Sequence, residues 1–208
     1  MSTEQSSELS ESPPRHRGPR PSAGAPAGIG AYPTIRTSRF SCRQFRLSDI
    51  EPLAALAGEH RVADTTIGVP RPFTTEFARM CTSSHAATSQ DRRSLHWTAL
   101  NNGDQRVVGY AALNPIDTER AQAQLRFWGG GSIERRNDVV EWSEAIVEFA
   151  LTELNLRRVY ALQLERHALA GHVLATIGML PEGLVRKRIY KGGLVEDIVC
   201  WAIARNDS

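Results

Sequence analysis

The order of the predicted elements indicates an α/β fold, in which a mixed α+β sheet carries helices on its faces. Short apolar or alternating runs typical of strands are interleaved with amphipathic segments typical of helices. A meander of strands with tight turn signals occupies the middle of the chain. The chain has 208 residues, of which 41% are hydrophobic and 23% charged, and this composition predicts one globular domain.

Residues 1–33 differ in composition from the rest, because Ser, Pro, Gly, Glu and Arg dominate them. Such a segment buries too little apolar surface to offset the entropy lost on ordering, so we predict a disordered tail. Its basic cluster at Arg15–Arg20 is balanced by Glu4, Glu8 and Glu11, which favours a solvated segment over a docking one. We expect the folded domain to span residues 34–208.

In the first half of the domain, Thr34–Phe45 has the mixed alternation of a first strand. The sequence Ser48–Glu51 is a capping box, which predicts a helix from there to about His60. The run Gly68–Pro72 breaks the chain, and a second helix is predicted over about Thr74–Ala87.

The meander follows. Ser94–Leu100 and Arg106–Leu113 are strand-like runs around Asn101–Asp104, a strong hairpin signal, and Ala121–Trp128 is a third strand. A long amphipathic helix then runs from Asn137 to about Leu154, with Asp138 and Glu141 as its capping box. The last predicted elements are a strand, a short helix and a strand, over Arg157–Leu164, Ala168–Ile177 and Leu194–Ile203.

Composition also limits the function. A net charge of +2 gives no support to a nucleic-acid or membrane partner, so neither is expected. No run approaches the roughly 20 apolar residues of a membrane span, and the N-terminus lacks the apolar core of a signal peptide, so we expect a cytoplasmic protein. Cys42, Cys81 and Cys200 are expected to be reduced and structural, and no Cys/His cluster has zinc-site spacing.

The segment Phe127–Trp142 carries the most chemical information, because a strand there passes through a loop into the long helix. A loop that feeds a helix N-terminus can hold a diphosphate with its backbone N–H groups and the positive end of the helix dipole.

Five motifs agree in order and spacing with a known family. They are Thr37–Arg43, Arg71–Ala78, Ala123–Trp128, Gly178–Arg186 and Ile189–Asp197. On these motifs the chain resembles the GNAT superfamily of N-acetyltransferases, specifically its RimJ/RimL-type branch, over about residues 36–205.

The resemblance implies a single mixed sheet with helices on both faces, whose central parallel strands splay apart to admit acetyl-CoA as co-substrate. Phe127, Trp128 and Gly129 would present backbone groups to the acetyl and pantetheine portions. A neutral primary amine would attack the thioester directly, which requires a proton acceptor and an oxyanion donor. The acceptor would be a peptide N-terminus or a small amine such as an amino sugar or polyamine, and a homodimer is frequent in this family.

The diphosphate loop departs from the family pattern. The pattern is roughly Trp-Gly-x-Gly-Tyr-Ala, whereas Glu134–Val139 contains no glycine. Asn137 tolerates unusual backbone angles, Arg135 adds bulk, and Asp138 adds a negative charge near the expected diphosphate. Two interpretations stay open: Arg135 and Arg136 replace the glycine N–H groups as phosphate ligands, or the helix has an ordinary capped start with solvated arginines.

Three other candidate positions carry alternatives. His167 and Ala170 stand where the family often has Asn-x-x-Ser; His167 is either a donor to the pantetheine arm or a capping histidine. Gln124 stands where the family strand usually has Glu, and an amide cannot serve as a base. Tyr190 matches a family position and is the candidate catalytic residue, which either acts as the acid or orients the substrate; the alternative is a half-buried structural aromatic.

The leading hypothesis is therefore an acetyl-CoA-dependent N-acetyltransferase. The rival hypothesis is a protein of the same fold that has lost catalysis and acts as a binding or regulatory module. The altered loop, Gln124, and the pair His167 and Ala170 favour the rival.

Overall fold

The computed structural model describes residues 33–58, 60–70, 74, 76, 93–129 and 136–205. Within these residues the strands are β1 Ile35–Arg36, β2 Phe40–Gln44, β3 Leu95–Asn101, β4 Val107–Asp117, β5 Gln122–Gly129, β6 Arg158–Leu164, β7 Leu180–Lys191 and β8 Leu194–Ala204. The helices are α1 Ile50–Gly58, α2 His60–Thr65, α3 Arg136–Thr152 and α4 Ala168–Thr176, and a 3-10 turn, Leu47–Asp49, precedes α1.

All eight strands form one sheet in the order β1-β2-β3-β4-β5-β6-β8-β7. Neighbouring strands are antiparallel except β5 and β6, which are parallel. These two central strands pair only from Gln122 opposite Arg158 to Gln124 opposite Tyr160. Beyond that point the described parts of both strands continue without pairing to each other, and we call this opening the fork. The predicted splaying of the central parallel strands is confirmed.

Helices cover both faces of the sheet. On one face, which we call the α3 face, α3 and α4 pack over the main core, where the Trp97 and Phe149 rings meet edge-on at 5.9 Å. On the opposite α1 face, α1 lies against β4. A small apolar cluster there receives the Trp128 side chain; its members are Ala57, Val62, Ala63 and Val69. The predicted mixed α/β sheet with helices on both faces is confirmed.

A buried ionic network joins β2 to α1. The Asp49 carboxylate accepts two hydrogen bonds from the Arg43 guanidinium, at 2.6 and 2.7 Å, and one from the Thr98 hydroxyl at 2.7 Å. The backbone N–H of Arg46 donates to the same carboxylate at 2.8 Å. Asp49 is the last residue of the 3-10 turn and caps the start of that turn through the N–H of Arg46, so the capping contact lies one turn earlier than the predicted Ser48–Glu51 box.

One predicted strand was wrong, and one strand of the structure was not predicted. The expected single strand over Thr34–Phe45 is interrupted at Thr37–Arg39, where the Thr37 side chain accepts a hydrogen bond from the backbone N–H of Phe40 at 3.1 Å. The strand β7 was missed, because Pro181, Gly183 and a cluster of charges obscure its pattern.

Most of the predicted second helix, Thr74–Ala87, and residues 1–32 of the predicted tail lie outside the described residues. The domain boundary at residue 34 therefore stays a prediction. Within the described part of the chain, no helix is long and apolar enough to cross a membrane.

Candidate functional site

The fork is the structural centre of the candidate site. Adjacent strands in a continuous sheet satisfy each other's backbone N–H and C=O groups. Past Gln124 and Tyr160, β5 and β6 diverge, so the backbone N–H and C=O groups on their facing edges do not bond to each other. A ligand that carries amide groups fits between such edges, because it can bond to the backbone as an inserted strand does. The pantetheine arm of acetyl-CoA contains two amides and matches this requirement.

The side chains at the end of β5 are engaged on both faces of the sheet. Phe127 contacts Trp142 of α3 edge-on, with ring centroids 6.3 Å apart. Trp128 points to the α1 face and stacks on Tyr110 of β4 at 5.6 Å. Because both side chains pack away from the sheet plane, this strand end faces the fork with its backbone.

A pair of glycines lets α3 approach the end of β5. Gly109 and Gly129 face each other across β4 and β5. A Cβ added at Gly109 would lie 2.8 Å from the Trp128 carbonyl oxygen and 3.0 Å from Trp142 Cζ2. A Cβ at Gly129 would lie 3.1 Å from Val139 Cγ2 in the first turn of α3. Side chains at these two positions would push the helix N-terminus away from the fork.

The N-terminus of α3 is bound by an arginine that sequence analysis did not identify. Arg39, in the turn between β1 and β2, donates to Asp138 at 2.6 Å and to Glu141 at 2.7 Å. The backbone N–H of Arg39 also donates to Glu141, at 2.9 Å. Burial alone would raise the pKa of Glu141, but the hydrogen bonds from Thr37, Arg39 and Ser38 outweigh it and lower the pKa. Both carboxylates therefore hold the β1–β2 turn against α3.

The arginines predicted to offset Asp138 are not described. Arg135 lies outside the described residues, and Arg136 is the first residue of α3, with its side chain undescribed. Asn137 follows it in the first turn, is exposed, and has its carbonyl oxygen 3.5 Å from Arg39 Nη2. The role of the arginines as phosphate ligands stays a prediction.

His167 occupies the N-cap position of α4, and its side chain makes no capping hydrogen bond. Its pKa is lowered to about 4, mainly by burial and also by the nearby positive charge of Arg166. A hydrogen bond to the backbone of Thr65 acts in the opposite direction but is the smallest of the three effects. The imidazole is therefore neutral near pH 7, and it joins the start of α4 to the end of α2.

Two further donors reinforce this junction. Arg166 donates to the Asp64 carbonyl at 2.9 Å and forms an ion pair with Glu196 at 2.7 Å. Lys191 donates to the Val69 carbonyl at 2.6 Å. Because the α2 region also packs on Trp128 of β5, it bridges the two arms of the fork on the α1 face.

A family model described as an acetyltransferase (GNAT) domain matches residues 39–180, which is more than half of the chain. The chain belongs to the GNAT acetyltransferase family. Among solved structures, this GNAT domain is similar to RimL, a ribosomal L7/L12 alpha-N-protein acetyltransferase in complex with coenzyme A. The TM-score is 0.76 at 13% identity, covering 85% of this chain and 100% of that one.

The fold is also similar to that of the microcin C7 self-immunity acetyltransferase MccE in complex with acetyl-CoA and AMP. The TM-score is 0.72 at 12% identity, covering 86% of this chain and 100% of that one. The uncharacterized N-acetyltransferase YoaA of Bacillus subtilis (strain 168) is 20% identical over 174 residues, which cover 84% of this chain and 98% of YoaA. Membership of the GNAT family confirms two sequence predictions: the chain is an N-acetyltransferase, and acetyl-CoA is its co-substrate.

The remaining predicted residues of the GNAT site lie in different places. Gln124 and Tyr160 form the last residue pair that joins β5 to β6 before the fork opens. Gln124 is 9% exposed, and its side-chain oxygen accepts a hydrogen bond from Arg126 at 3.4 Å. Tyr190 lies opposite Val195 in the hairpin of β7 and β8, at the edge of the sheet. Its ring is 75% exposed, rather than half-buried beside the cleft.

Sequence analysis also missed a polar pair on the α1 face. His96 of β3 is 1% exposed, and its Nδ1 lies 2.7 Å from the Tyr110 hydroxyl oxygen. The two residues are 14 positions apart, and neither belongs to a motif, so only strand pairing reveals their contact. Within the described part of the chain, no group of acidic, His and Cys residues has the arrangement of a metal site.

Proposed function

We propose that this protein transfers the acetyl group of acetyl-CoA to a primary amine, by direct attack of the neutral amine on the thioester. The acceptor is a peptide N-terminus or a small amine such as a polyamine or amino sugar, and the reaction takes place in the cytoplasm. The observation that carries the proposal is the fork, where two central parallel strands separate after Gln124 and Tyr160.

The chain offers three groups for holding acetyl-CoA. The backbone of Phe127, Trp128 and Gly129 faces the fork on one side, where it would bond the pantetheine and acetyl portions. Gln163 lies on the diverging part of β6; its Nε2 donates to the His167 carbonyl at 2.8 Å. Its Oε1 is buried and has no partner among the described residues. An unsatisfied buried acceptor is costly, and an amide N–H of the pantetheine arm would satisfy it.

The third group is the start of α3, which would receive the diphosphate through Arg135, Arg136, Asn137, Asp138 and Val139. The described charges there are one cation, Arg39, against two carboxylates, so they sum to −1. Arg135 and Arg136 would change this sum to +1, and Glu134 in the same loop would return it to 0. The helix dipole adds a positive potential at the same end, and this potential favours an anion.

A peptide N-terminus is the first acceptor to test. RimL, which shares the fold, is described as an acetyltransferase of the N-terminus of ribosomal L7/L12. The segment after α2 and the β7–β8 hairpin border the site on the α1 face, and both would contact the acceptor. A homodimer, as the family resemblance implies, stays a prediction.

The test is isothermal titration of the full chain with acetyl-CoA, followed by thiol-release assays with decapeptides that begin with Ser or Ala and with spermidine. We expect micromolar binding and thiol release that depends on the added amine. Absence of binding at millimolar acetyl-CoA would instead support the rival, a binding or regulatory protein without catalysis.

A double variant tests the arginine interpretation. Arg135→Glu with Arg136→Glu should abolish acetyl-CoA binding while leaving the thermal midpoint unchanged, because it reverses two charges at the diphosphate position. The matched control is Arg186→Glu with Arg188→Glu, which makes the same charge change on exposed positions of β7. Equal affinities in the two double variants would show that Arg135 and Arg136 do not hold the diphosphate.

A further inference from the structure

The turn between β1 and β2 holds a guanidinium in a fixed place beside the start of α3. The backbone N–H of Asn102 donates to the Arg39 carbonyl at 2.8 Å. The side-chain amide of Asn102 donates to the carbonyls of Thr37 and Ser38, each at 3.3 Å. The Arg39 guanidinium lies over the buried Phe40 ring, 5.0 Å from its centroid. Because the backbone of the turn and one face of the guanidinium are both held, the position of this cation is preorganised.

This one cation serves two carboxylates of α3. Arg39 Nη1 donates to Asp138 at 2.6 Å, and Arg39 Nε donates to Glu141 at 2.7 Å. Burial alone would lower the pKa of Arg39, but the hydrogen bonds and charges of Glu141 and Asp138 outweigh it and raise the pKa. The guanidinium therefore stays charged. About half of its side chain, 51%, is exposed, so a charged ligand at the start of α3 would also be affected by it.

The two carboxylates lie at the end of α3 that the proposed function assigns to the diphosphate. A carboxylate in a first turn is ordinarily favourable, because it lies at the positive end of the helix dipole. A second anion at the same end is repelled by that carboxylate, and the repulsion grows as solvent is excluded. Removal of Arg39 would change the sum of the described charges from −1 to −2. Arg39 therefore decides how much of this repulsion a diphosphate meets.

Two observations away from the carboxylates indicate a ligand that reaches this end of the helix. A Cβ at Gly129 would lie 3.1 Å from Val139 Cγ2, so α3 begins beside the end of β5. On the diverging part of β6, Gln163 is 6% exposed and its Oε1 has no partner among the described residues, which favours a ligand with amide donors. A pantetheine arm that follows β5 from Phe127 toward Gly129 would carry its diphosphate to the start of α3.

We propose that Arg39 is a positioning residue for acetyl-CoA, because it offsets the negative charge of Asp138 and Glu141 where the diphosphate binds. This role rests on the proposed function, in which the start of α3 receives the diphosphate. The charge that Asp138 adds to the altered loop is thereby compensated by a residue 99 positions earlier in the chain. The loss of the loop glycines and the binding of acetyl-CoA are then compatible.

The first test is isothermal titration of the full chain with acetyl-CoA in about 0.1 M NaCl. Arg39→Gln removes the charge and keeps a polar side chain, so Kd should rise about tenfold. Arg39→Lys keeps the charge, and its Kd should stay within about threefold of the wild type. The matched control is Arg106→Gln, because Arg106 is exposed in the neighbouring turn between β3 and β4, where it pairs with Asp104 at 3.8 Å. A Kd of Arg39→Gln no higher than that of the control would overturn the proposal.

A charge rescue separates electrostatics from packing. Asp138→Asn added to Arg39→Gln returns the sum of the described charges to −1 but restores none of the guanidinium contacts. The double variant should therefore bind acetyl-CoA within about threefold of the wild type, while its thermal midpoint stays no higher than that of Arg39→Gln. Asp138→Asn alone should bind more tightly than the wild type. A double variant that binds as weakly as Arg39→Gln would show that Arg39 acts only by holding the β1–β2 turn against α3.

Salt provides a second electrostatic measurement, because the screening length falls from about 10 Å at 0.1 M to about 3 Å at 1 M ionic strength. The ratio of Kd between Arg39→Gln and the wild type should fall from about tenfold to below about threefold over this range. A ratio that does not change with salt would count against the proposal. Wild-type protein that binds no acetyl-CoA at millimolar concentration would overturn the proposed function and this role together. A wild type that binds, with an Arg39→Gln variant that binds equally well, would overturn the role of Arg39 alone.

Discussion

The protonation state of His167 makes the stability of the fold depend on pH. Its pKa is lowered from an ordinary 6.5 to about 4, because the ring is largely removed from water beside the Arg166 charge. Between these two values the unfolded chain binds a proton that the folded chain does not. The free energy of unfolding should therefore fall as the pH drops below 6.5, and the loss should be complete near pH 4.

The magnitude follows from the linkage relation. For one group with these two pKa values, the folded state should lose ~2 kcal/mol between pH 7.5 and pH 5. Because part of the ring is accessible and solvent screens the penalty, we expect about 1 kcal/mol. The variant His167→Gln keeps an N–H donor for the Thr65 carbonyl and has no proton to gain, so this portion of the pH dependence should disappear.

The measurement is urea unfolding of the wild type, His167→Gln and His172→Gln at pH 7.5, 6.5, 5.5 and 5.0. The difference between wild type and His167→Gln should change by about 1 kcal/mol across the series. His172→Gln controls for the loss of a histidine on the exposed side of α4. Parallel pH curves for wild type and His167→Gln would refute the argument that the buried imidazole stays neutral.

Two further predictions concern the scaffold of the site. Gly109→Ala should lower the free energy of unfolding by about 1–3 kcal/mol and weaken acetyl-CoA binding, because its Cβ meets the Trp128 carbonyl. The control is Gly58→Ala, which should be neutral or slightly stabilising, because a Cβ at Gly58 meets nothing within 4 Å. Equal changes in the unfolding free energy of Gly109→Ala and Gly58→Ala, measured by calorimetry, would contradict this reasoning. Asp49→Ala should cost about 3–5 kcal/mol by stranding Arg43, and Asp49→Leu with Arg43→Met should recover most of it in urea unfolding. A double variant no more stable than the single one would count against a simple charge-pair explanation.

Elements with a clear local period were predictable from the sequence. The meander, the long helix α3 and the final strand appear within a few residues of the expected bounds, because each has a sufficiently regular apolar pattern. Strand β7 has no such pattern: its second residue is a proline and its fourth is a glycine. It pairs with β8 on both sides of a break in register between Val185 and Ile189. Its strand state is decided by its neighbour in the sheet.

The candidate site divides in the same way. Phe127, Trp128 and Gly129 could be predicted as site residues from the resemblance, because they belong to a contiguous motif next to a helix start, and their role stays a prediction. Arg39 could not be identified from the sequence, because its partners Asp138 and Glu141 lie 99 and 102 positions further along the chain. Its position next to the helix depends on β1 and β2 lying beside α3.

Local patterns and motifs, each within a few residues, are enough to assign the family, the order of most elements and acetyl-CoA as co-substrate. They do not reveal where β5 and β6 separate, which charges surround the start of α3, or that Tyr110 meets His96. These features arise from strand register and from helices packing on opposite faces of one sheet. Their free energy comes from contacts between distant residues, which no local pattern in the sequence encodes.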